Sequence, residues 1–265
     1  MKLDGCTALI TGASAGIGRE IARQVAPRAR QVIVVARREE RLEQLREELI
    51  RNHPTLDIRT RATDLSDPAQ LRGLTDWLHA GGLDVDLLVN NAGLGDLGPF
   101  ATSDFRRLEQ MTLVNINALT ILTRAVLPAM IAKGRGAILN VSSCASFLPI
   151  ANFAVYAASK AYVTSFSEGL RAELRGTGIS VTALCPGPVH TEFTDVAYRP
   201  GSLRDPSPEF VYVTAQRVAE LGLKAVERDK AVFIPGVAMK IAMFFTRITP
   251  MPLLRAASRF WGKQT

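Results

Sequence analysis

Tyr156 and Lys160 are the residues whose types and spacing point most directly to chemistry, because they lie four positions apart. On a helix, two side chains at this spacing leave the same face one turn apart. An ammonium group beside a phenol favours the phenolate, which lowers the tyrosine pKa from about 10 toward neutrality. Tyr156 would then give a proton to a carbonyl oxygen or take one from an alcohol. Alone the pair is a weak signal, since a half-buried tyrosine beside a solvated lysine is common.

Ser143 is a third candidate, thirteen residues before Tyr156, and it follows the apolar run 137–141. Such a run is typical of a buried strand, and a hydroxyl group at its end could hydrogen-bond the same oxygen that Tyr156 serves. The three residues gain weight from a nucleotide-binding signature at the other end of the chain.

A glycine-rich turn with the sequence Thr-Gly-Ala-Ser-Ala-Gly-Ile-Gly runs from Thr11 to Gly18. It follows the apolar residues 6–10 and precedes a helical pattern over 19–26, which is the context that a phosphate-binding loop needs. Glycines let the backbone approach a pyrophosphate closely, and the helix N-terminus offers it free N–H groups. The spacing differs from the generic dinucleotide pattern, so an ordinary glycine-rich turn between a strand and a helix stays an alternative.

These motifs together resemble the short-chain dehydrogenase/reductase family in its single-domain form. The resemblance covers about residues 2–191 in unbroken order, and the alternation of strands and helices continues to about Gly236. The positions that carry it are Thr11–Gly18, the Asn-Asn-Ala-Gly sequence at 90–93, Asn115, Ser143, Tyr156, Lys160 and the segment 185–191. Each motif is only moderately specific, but this many in order at compatible spacings are not expected by chance.

The resemblance implies hydride transfer between a nicotinamide cofactor and a carbonyl or alcohol group. The implied catalytic residues are Asn115, Ser143, Tyr156 and Lys160. Tyr156 would exchange the proton while Ser143 polarises the substrate oxygen. Lys160 would lower the tyrosine pKa and bond the nicotinamide ribose. Asn115 would hold a water molecule of the proton relay, although Asn117 is close enough in sequence to be that asparagine instead.

The implied cofactor-binding residues are Gly12, Ser14, Gly16, Ile17, Gly18, Arg37, Arg38, Asp64, Leu65, Asn91, Gly93, Tyr156, Lys160, Val189 and Thr191. Asp64 and Leu65 would frame the adenine ring. An aspartate at this position could equally be only the N-cap of the following helix, a role for which Ser66 or Asp67 is better placed.

Two further loops are assigned by the same resemblance. Asn91 and Gly93 would contact the adenosine ribose, whereas Asn90 fits a tie between neighbouring strands. The Val189 backbone would hydrogen-bond the nicotinamide carboxamide. Thr191 would bond the carboxamide or a phosphate.

The charges after the second predicted strand favour NADP(H) over NAD(H). An enzyme that uses NAD usually places Asp or Glu there to bond the ribose 2′-hydroxyl. This chain has Ala36, followed by Arg37 and Arg38, whose guanidinium groups suit a 2′-phosphate. Arg19 could assist from the first helix. The alternative is that the two arginines simply begin a charged surface helix, but the missing carboxylate still argues against NAD.

The composition suits one large α/β domain, with 265 residues of which 47% are hydrophobic. Three unevenly spaced cysteines and three histidines give neither a disulfide framework nor a metal-ligand motif, so no metal is predicted. With no room for a signal peptide and no uninterrupted apolar stretch of about eighteen residues, the expected compartment is the cytoplasm. The net charge of +7 fits anionic partners such as the cofactor, but no nucleic-acid recognition motif accompanies it.

Strand-like apolar runs alternate with helical patterns along the chain. The predicted strands are 6–11, 31–36, 56–62, 86–90, 136–142, 179–185 and 232–234, and predicted helices include 39–51, 68–79, 105–132, 154–175 and 214–228. Apolar strands that alternate with helices indicate a parallel sheet covered on both faces. The predicted fold is therefore α/β, a single Rossmann-type doubly wound sheet of about seven strands, with its ligand at the carboxyl ends of the strands.

Residues 1–236 are predicted to form the dinucleotide-binding catalytic domain, with a lid at about 190–210. That lid contains Pro200, Gly201, Pro206 and Pro208. Residues 237–265 are predicted to form an amphipathic helical extension, in which apolar residues alternate with Lys240, Arg247, Arg255, Arg259 and Lys263. The extension would touch an anionic membrane peripherally, cap a lipophilic substrate, or pack against the domain or a subunit partner. The resemblance also implies a homodimer or homotetramer built through helices 105–132 and 154–175.

The substrate pocket is predicted to be mostly apolar, with no arginine cluster. Its expected lining is Leu94, Cys144, Phe147, Leu148, Asn152 and Phe153. A lipophilic carbonyl compound such as a ketosteroid or a 3-oxoacyl compound is therefore favoured, although small ketones and aldehydes would also fit. The alternative function is a catalytically idle relative that binds dinucleotide as a sensor or an assembly module. The intact catalytic set favours the enzyme, since a non-enzyme needs no proton relay.

Overall fold

In the residues that the computed structural model describes, 2–199 and 208–255, the centre of the fold is a sheet of seven parallel strands. The strands are β1 (Thr7–Thr11), β2 (Gln31–Ala36), β3 (Asp57–Ala62), β4 (Leu87–Asn90), β5 (Gly136–Val141), β6 (Ile179–Leu184) and β7 (Val232–Phe233). Their order is β3-β2-β1-β4-β5-β6-β7, so the direction of winding reverses between β1 and β4. The predicted doubly wound α/β fold is confirmed, and each predicted strand agrees to within one residue at either end.

The helices that flank the sheet begin where the sequence patterns predict, with small differences. They are α1 (Gly16–Val25), α2 (Glu39–Asn52), α3 (Pro68–Ala80), α4 (Phe105–Thr112), α5 (Leu119–Lys133), α6 (Ala154–Glu173), α7 (Glu192–Ala197), α8 (Ala215–Glu227) and α9 (Val237–Ile248). Short 3₁₀ turns lie at Phe100–Thr102, Cys144–Phe147 and Glu209–Val211. α1 begins three residues before the predicted range 19–26, because the glycine turn passes directly into the helix.

Both faces of the sheet are covered, because successive side chains on a strand point to opposite faces. On β1, Ile10 packs into the core beneath α1, α2 and α8, whereas Leu9 packs into the core beneath α3, α5 and α6. Val34 and Ile33 divide in the same way on β2. β3 lies at the edge and is largely exposed, so its sequence is more polar than that of the central strands. Two cores on one sheet leave the carboxyl ends of the strands as the open edge where a ligand can bind.

One helical run, Phe105–Lys133, departs from the α-helix predicted for 105–132. Its middle residues, Leu113–Ala118, are π-helical. Such segments are rare and often lie at functional sites, and this one carries Asn115, which is 1% exposed. Within the described part of the chain this run is also long and apolar enough to cross a membrane, by length and composition alone. Leu122 and Val126 nevertheless pack into the core, as they do in the core helix of a globular domain.

The structure describes parts of the lid and of the C-terminal extension. α7 and residues up to 199 form the first half of the lid, while Pro200, Gly201 and Pro206 lie outside the described residues. In the extension, α9 is followed by residues 251–255, which are helical. Arg259 and Lys263 lie outside the described residues. The division of the chain at residue 236 stays a prediction.

Candidate active site

A cavity of about 1270 Å³ opens at the carboxyl ends of the strands. Its volume exceeds that of an ordinary small-ligand pocket, about 300–1,000 Å³, as expected for a site that takes a dinucleotide and a second molecule. Fourteen of the predicted site residues line it: Gly12, Ser14, Gly16, Ile17, Arg37, Arg38, Asp64, Leu65, Asn91, Gly93, Tyr156, Lys160, Val189 and Thr191. Gly18, Asn115 and Ser143 do not line the cavity themselves. Each contacts a residue that does, which is Gly12, Leu94 and Tyr156, respectively.

The glycine turn is locked against the loop that follows β4. The Asn91 side chain donates hydrogen bonds to the carbonyl oxygens of Thr11, at 2.9 Å, and of Gly12, at 3.2 Å. A Cβ atom added at Gly18 would lie 2.5 Å from the Gly12 oxygen, so Gly18 is required for this packing. α1 begins at Gly16 with Ala15 as its N-cap, which provides no side-chain hydrogen bond. The first N–H groups of α1 therefore stay available to an anion in the cavity.

Replacing Gly12 by Ala is expected to disrupt this turn. Gly12 has a φ of +66°, and an added Cβ atom would lie 2.9 Å from Cα of Ala92, so both the conformation and the space favour glycine. We expect Gly12→Ala to weaken NADPH binding at least about tenfold and to lower the melting temperature. Gly5→Ala is the matched control, because Gly5 has a φ of +69° but open space around it. Equal effects of the two substitutions on NADPH affinity, measured by calorimetry, would contradict this account.

Arg37 and Arg38 both line the cavity beyond β2. Arg38 donates to the Ser14 hydroxyl at 3.1 Å and to the Glu192 carboxylate of α7 at 2.8 Å. Glu192 also accepts a hydrogen bond from Arg41, and these two guanidinium groups, Arg38 first, hold the pKa of Glu192 below its usual value. The cationic cluster predicted after β2 is thus present, but a carboxylate that the sequence analysis did not single out is bound to it.

Arg19 does not belong to that cluster. Its guanidinium forms a 3.1 Å ion pair with Glu48 of α2, and it does not line the cavity. The suggested assistance from Arg19 is therefore wrong. Asp64 and Leu65 do line the cavity, and the helix cap is Asp67, which accepts from the N–H of Ala69 at 2.8 Å.

Asn90, at the end of β4, and Asn115, in the π-helical segment, have different structural roles. Asn90 is buried and donates to Thr123 at 3.0 Å and to Asn140 of β5 at 2.9 Å, so it is the expected tie between strands. Asn115 clamps the backbone of Leu94: its Oδ1 accepts from the Leu94 N–H at 2.8 Å and its Nδ2 donates to the Leu94 carbonyl at 2.9 Å.

Both N–H groups of the Asn115 amide are used, since its Nδ2 also donates to Ser159 of α6 at 2.9 Å. The side chain thus positions the loop beside the site, and the role of Asn115 in holding a water molecule of the proton relay stays a prediction. A Cβ atom at Gly93 would lie 3.3 Å from Nζ of Lys160 and 3.4 Å from Oδ1 of Asn115, so this glycine keeps the three groups close together.

The Tyr156 ring packs against two other aromatic rings at the wall of the cavity. It stacks on Phe153, with centroids 4.2 Å apart, and contacts the Phe193 ring of α7 at 5.5 Å. Burial raises the pKa of Tyr156 to about 12, and a hydrogen bond with Ser143 opposes part of that rise. The prediction that Lys160 lowers this pKa is wrong for the present arrangement. Burial thus favours the protonated phenol over the phenolate.

Lys160 is 4% exposed, and its Nζ donates to the Val141 carbonyl at 2.9 Å. The same Nζ lies 5.7 Å from the centre of the Tyr156 ring. Burial of the ammonium lowers the pKa of Lys160 to about 8. The ammonium thus bonds β5 and lies beside the Tyr156 ring without a recorded hydrogen bond to the phenol. Its remaining N–H groups are suited to hydroxyl acceptors such as those of a ribose.

The two serines after β5 point in opposite directions, as neighbours in extended chain do. Ser142 donates to the Lys160 carbonyl at 2.9 Å and also bonds Thr164, so it fastens β5 to α6. Ser143 accepts from the Ala145 N–H at 3.1 Å and bonds Tyr156. The bracing role of Ser142 carried no signal in the sequence, and the catalytic role of Ser143 stays a prediction.

The buried carboxylate of Asp96, which the sequence analysis did not single out, anchors the first half of the predicted lid. The Asp96 side chain is 1% exposed and forms ion pairs with Arg199 at the end of the lid and with Arg107 of α4 at 3.2 Å. Nε of Arg199 donates to Oδ1 of Asp96 at 2.9 Å. Arg107 also bonds the carbonyl oxygen of Val196 in α7. This arrangement holds Phe193 against Tyr156 and closes one side of the cavity.

Asp96→Asn is expected to loosen the lid, because two guanidinium groups lose the charge that both of them face. Removing one partner of a buried ion pair costs about 2–4 kcal/mol. The pKa of Asp96 is lowered, chiefly by Arg199, so the stabilisation is present above the unfolded-state pKa and is lost as the pH falls through the folded-state value. Hydrogen exchange in α7 should accelerate in the variant at pH 7 and in the wild type only in acid. Asp229→Asn, which removes an exposed partner of Arg171, is the control and should leave α7 unchanged.

The remaining walls of the cavity are mostly apolar and come from the loops after β4 and β5 and from the helices α7 and α9. Leu94, Leu148 and Phe153 take their predicted places, whereas Phe147 does not line the cavity and instead lies under Arg247, 5.4 Å from its ring centre. α7 and α9 complete the wall with Phe193, Val196, Ala197, Met239, Ala242, Met243 and Thr246. In the described residues, the cationic side chains on the lining are Arg37, Arg38 and Lys160.

Comparisons with known proteins agree with this geometry. A family model described as short chain dehydrogenase matches residues 6–199. The chain is 42% identical over 199 residues to the NADP-dependent 3-hydroxy acid dehydrogenase YdfG of Salmonella typhi, which covers 72% of this chain and 76% of that protein. A short-chain dehydrogenase from Sphingobium yanoikuyae in complex with NADPH has a TM-score of 0.81 and 31% identity, covering 91% and 93% of the two chains. A bulky-bulky ketone specific alcohol dehydrogenase from Comamonas testosteroni has a TM-score of 0.76 and 27% identity, covering 93% and 95%.

Proposed function

The chain belongs to the short-chain dehydrogenase/reductase family, and from that premise we propose that it reduces a bulky, lipophilic carbonyl compound, with Tyr156 as the proton donor. The family and its relatives make it an NADP(H)-dependent oxidoreductase acting on C=O or CH–OH groups. The observation that carries the finer proposal is the position of the Tyr156 phenol on the wall of an apolar cavity, stacked on Phe153 and bonded to Ser143.

The described residues fit a bound NADP(H). The uncapped N-terminus of α1 and the glycine turn provide a backbone cradle for a pyrophosphate. Arg37 and Arg38 provide guanidinium groups for a 2′-phosphate. Thr191 does not use its side chain to cap α7, so its hydroxyl remains a donor to the cofactor. When bound, the nicotinamide supplies the hydride and thus the redox chemistry.

The protein contributes proton transfer and alignment. The Tyr156 hydroxyl donates its proton to the substrate oxygen as negative charge develops there, and Ser143 donates a hydrogen bond to the same oxygen. Lys160 would bond the ribose of the cofactor and hold it in the site, with its ammonium 5.7 Å from the centre of the Tyr156 ring. Phe153 and Phe193 exclude water from the phenol.

The cofactor preference bears on the direction of the reaction. An NADP(H) preference favours reduction, and we therefore propose reduction as the working direction.

The cavity wall favours a lipophilic substrate such as a ketosteroid or a 3-oxoacyl compound. A 3-hydroxy acid, which the YdfG relative is named for, carries a carboxylate that needs a cation or several N–H donors. Outside the predicted cofactor residues the described lining is mostly apolar, with Leu148, Phe193, Met239 and Met243, and Asn152 is among its few polar side chains. A bulky ketone, for which the Comamonas relative is named, matches such a surface better.

The test is NADPH oxidation against a panel of ketosteroids, 3-oxoacyl thioesters, quinones, 3-oxo acids and simple aldehydes, with NADH alongside. Selective turnover of one lipophilic class with NADPH is the expected result. Preference for a short 3-oxo acid would overturn the substrate proposal and keep the reductase. Tight NADPH binding with no turnover in the panel would favour the alternative function, a catalytically idle dinucleotide sensor or assembly module.

We also propose that the enzyme is cytoplasmic and forms a homodimer or homotetramer through the faces of α5 and α6. An exposed large apolar side chain lies on each of these helices, Ile131 on α5 and Tyr162 on α6. Light scattering after size exclusion measures the mass directly. Charged substitutions at Ile131 and Tyr162 should shift it toward the monomer, and an unchanged mass would place the interface elsewhere.

A further inference from the structure

α9 is an amphipathic helix whose outward face is apolar. Seven of the large apolar side chains that are exposed in the described residues lie between 237 and 253. Since successive residues of a helix step by about 100°, five of them form a stripe about 100° wide: Val237, Ile241, Phe244, Phe245 and Ile248. Their exposed fractions run from 54% to 76%. A stripe of this width normally packs on a core, whereas here it faces solvent.

The opposite side of α9 already has a partner, so the exposed stripe is a second surface. Met243 is 7% exposed, and Met239, Met243 and Thr246 line the catalytic cavity. Met239 also packs against Gly187 so closely that an added Cβ would lie 2.7 Å from its Cγ. The helix thus forms part of the cavity wall with one face and presents Phe244 and Phe245 outward with the other.

The charge around the stripe indicates which kind of partner can bind it. From residue 230 to the end of the sequence there are six cations, Lys230, Lys240, Arg247, Arg255, Arg259 and Lys263, and no Asp or Glu. On the helix, Lys240 and Arg247 lie along one edge of the apolar stripe and are exposed. A symmetric contact between two copies would place this cationic patch against itself, which like-charge repulsion disfavours. An anionic lipid surface accepts both the apolar stripe and the cations.

We propose that α9 and the helical residues 251–255 dock the protein onto anionic lipid surfaces, with the stripe inserted at the level of the acyl chains. Because the other face of α9 lines the cavity, docking places the cavity wall next to the bilayer. If the proposed function is right, lipophilic ketones dissolved in the membrane would reach the site by a short path. The docking itself does not depend on the reaction.

Vesicle flotation tests this docking without any measurement of turnover. Wild type should float with phosphatidylcholine vesicles that contain about a third phosphatidylglycerol, less with phosphatidylcholine alone, and less as salt is added. Phe244→Ser/Phe245→Ser should lower the partition coefficient at least about tenfold, while Phe100→Ser, which removes a 65% exposed Phe elsewhere, should not. Lys240→Gln/Arg247→Gln should weaken binding to the anionic vesicles more than Arg51→Gln/Arg72→Gln, which removes exposed cations from α2 and α3.

Two outcomes would overturn the proposal. The first is wild type that stays unbound to anionic vesicles. The second is a fall in oligomer mass on Phe244→Ser/Phe245→Ser without any loss of flotation, because this result makes the stripe an interface between copies. Normal turnover of a water-soluble ketone in the same variants keeps failure of docking separate from failure of the proposed reaction.

An independent observation concerns Glu192, the first residue of α7. Its carboxylate bonds Arg38 at 2.8 Å and also bonds Arg41, and Glu192 and Arg38 both line the cavity where the cofactor's 2′-phosphate is expected. The next residue, Phe193, contacts Tyr156. We infer that Glu192 is a specificity-determining residue whose carboxylate competes with the 2′-phosphate for Arg38. Binding of NADP(H) would thus release the start of α7, whereas binding of NAD(H) would leave it tied.

Calorimetric titration of the purified enzyme with NADPH, NADH and 2′-AMP tests this inference apart from activity. Glu192→Gln keeps the shape but removes the charge, so NADPH and 2′-AMP should bind about tenfold tighter and NADH within about twofold of wild type. The gain should vanish in an Arg38→Ala background. Glu220→Gln is the control, because Glu220 also bridges two cations, Arg217 and Lys224, away from the cavity. Weaker NADPH binding by Glu192→Gln would show that Glu192 orients Arg38 instead, and equal gains for NADPH and NADH would also refute competition.

Discussion

Tyr156→Phe is expected to lower NADPH-dependent turnover by about a thousandfold while leaving the affinity for NADPH within about threefold of wild type. Positioned proton transfer contributes about 10²–10⁴ to a rate, and phenylalanine has no proton to give. The ring itself would be retained, so the stack on Phe153 at 4.2 Å and the contact with Phe193 at 5.5 Å should survive. The loss should therefore appear in kcat and not in folding. Steady-state kinetics and NADPH titration measure the two quantities separately.

Tyr162→Phe is the matched control for this substitution. Tyr162 lies on the same helix, is 36% exposed, and its hydroxyl bonds Thr120 at 2.9 Å. The same chemical change there should leave turnover intact. If Tyr156→Phe bound NADPH normally and kept full turnover, the proton would come from another group, and the proposed mechanism would be wrong.

The order of the elements could be predicted from sequence because strand and helix patterns are local. The alternation of Leu9 and Ile10 between the two cores is the period-two pattern of a strand. The glycine turn, Tyr156 and Lys160 could be placed for the same reason, since each lies at a strand end or on the following helix. Only the family resemblance, however, singled out Asn115.

Features that depend on contacts between distant segments could not be predicted in this way. Asp96 lies 103 residues from Arg199, and nothing in either local sequence indicates that the two form a buried pair. The pKa of Tyr156 was expected to fall because spacing puts Lys160 one turn away. Spacing does not reveal that the ammonium would turn to Val141 or that burial would dominate. The charge on Arg38 was visible, whereas its bond with Glu192, 154 residues away, was not.

Arg37→Ala/Arg38→Ala is expected to weaken NADPH binding by about 10²–10³-fold and NADH binding by no more than about threefold. Each charged hydrogen bond to a phosphate contributes about 1.5–3 kcal/mol, and only NADPH carries the 2′-phosphate. The single variants should differ. Both residues are exposed, but Arg38 is already held at the cavity by Ser14 at 3.1 Å, so its loss should cost more than the loss of Arg37.

Arg51→Ala, at the far end of α2 from the cavity, is the control for a simple change in net charge. It should leave both affinities unchanged, because an exposed charge beyond about 10 Å is largely screened at moderate salt. The salt dependence adds a second criterion, since loss of two phosphate contacts should flatten the decline of NADPH affinity with ionic strength. Equal losses for NADPH and NADH would mean that the two arginines support the fold of the β2–α2 turn and do not recognise the phosphate. In that case the NADP(H) preference would have to come from groups other than these two guanidiniums.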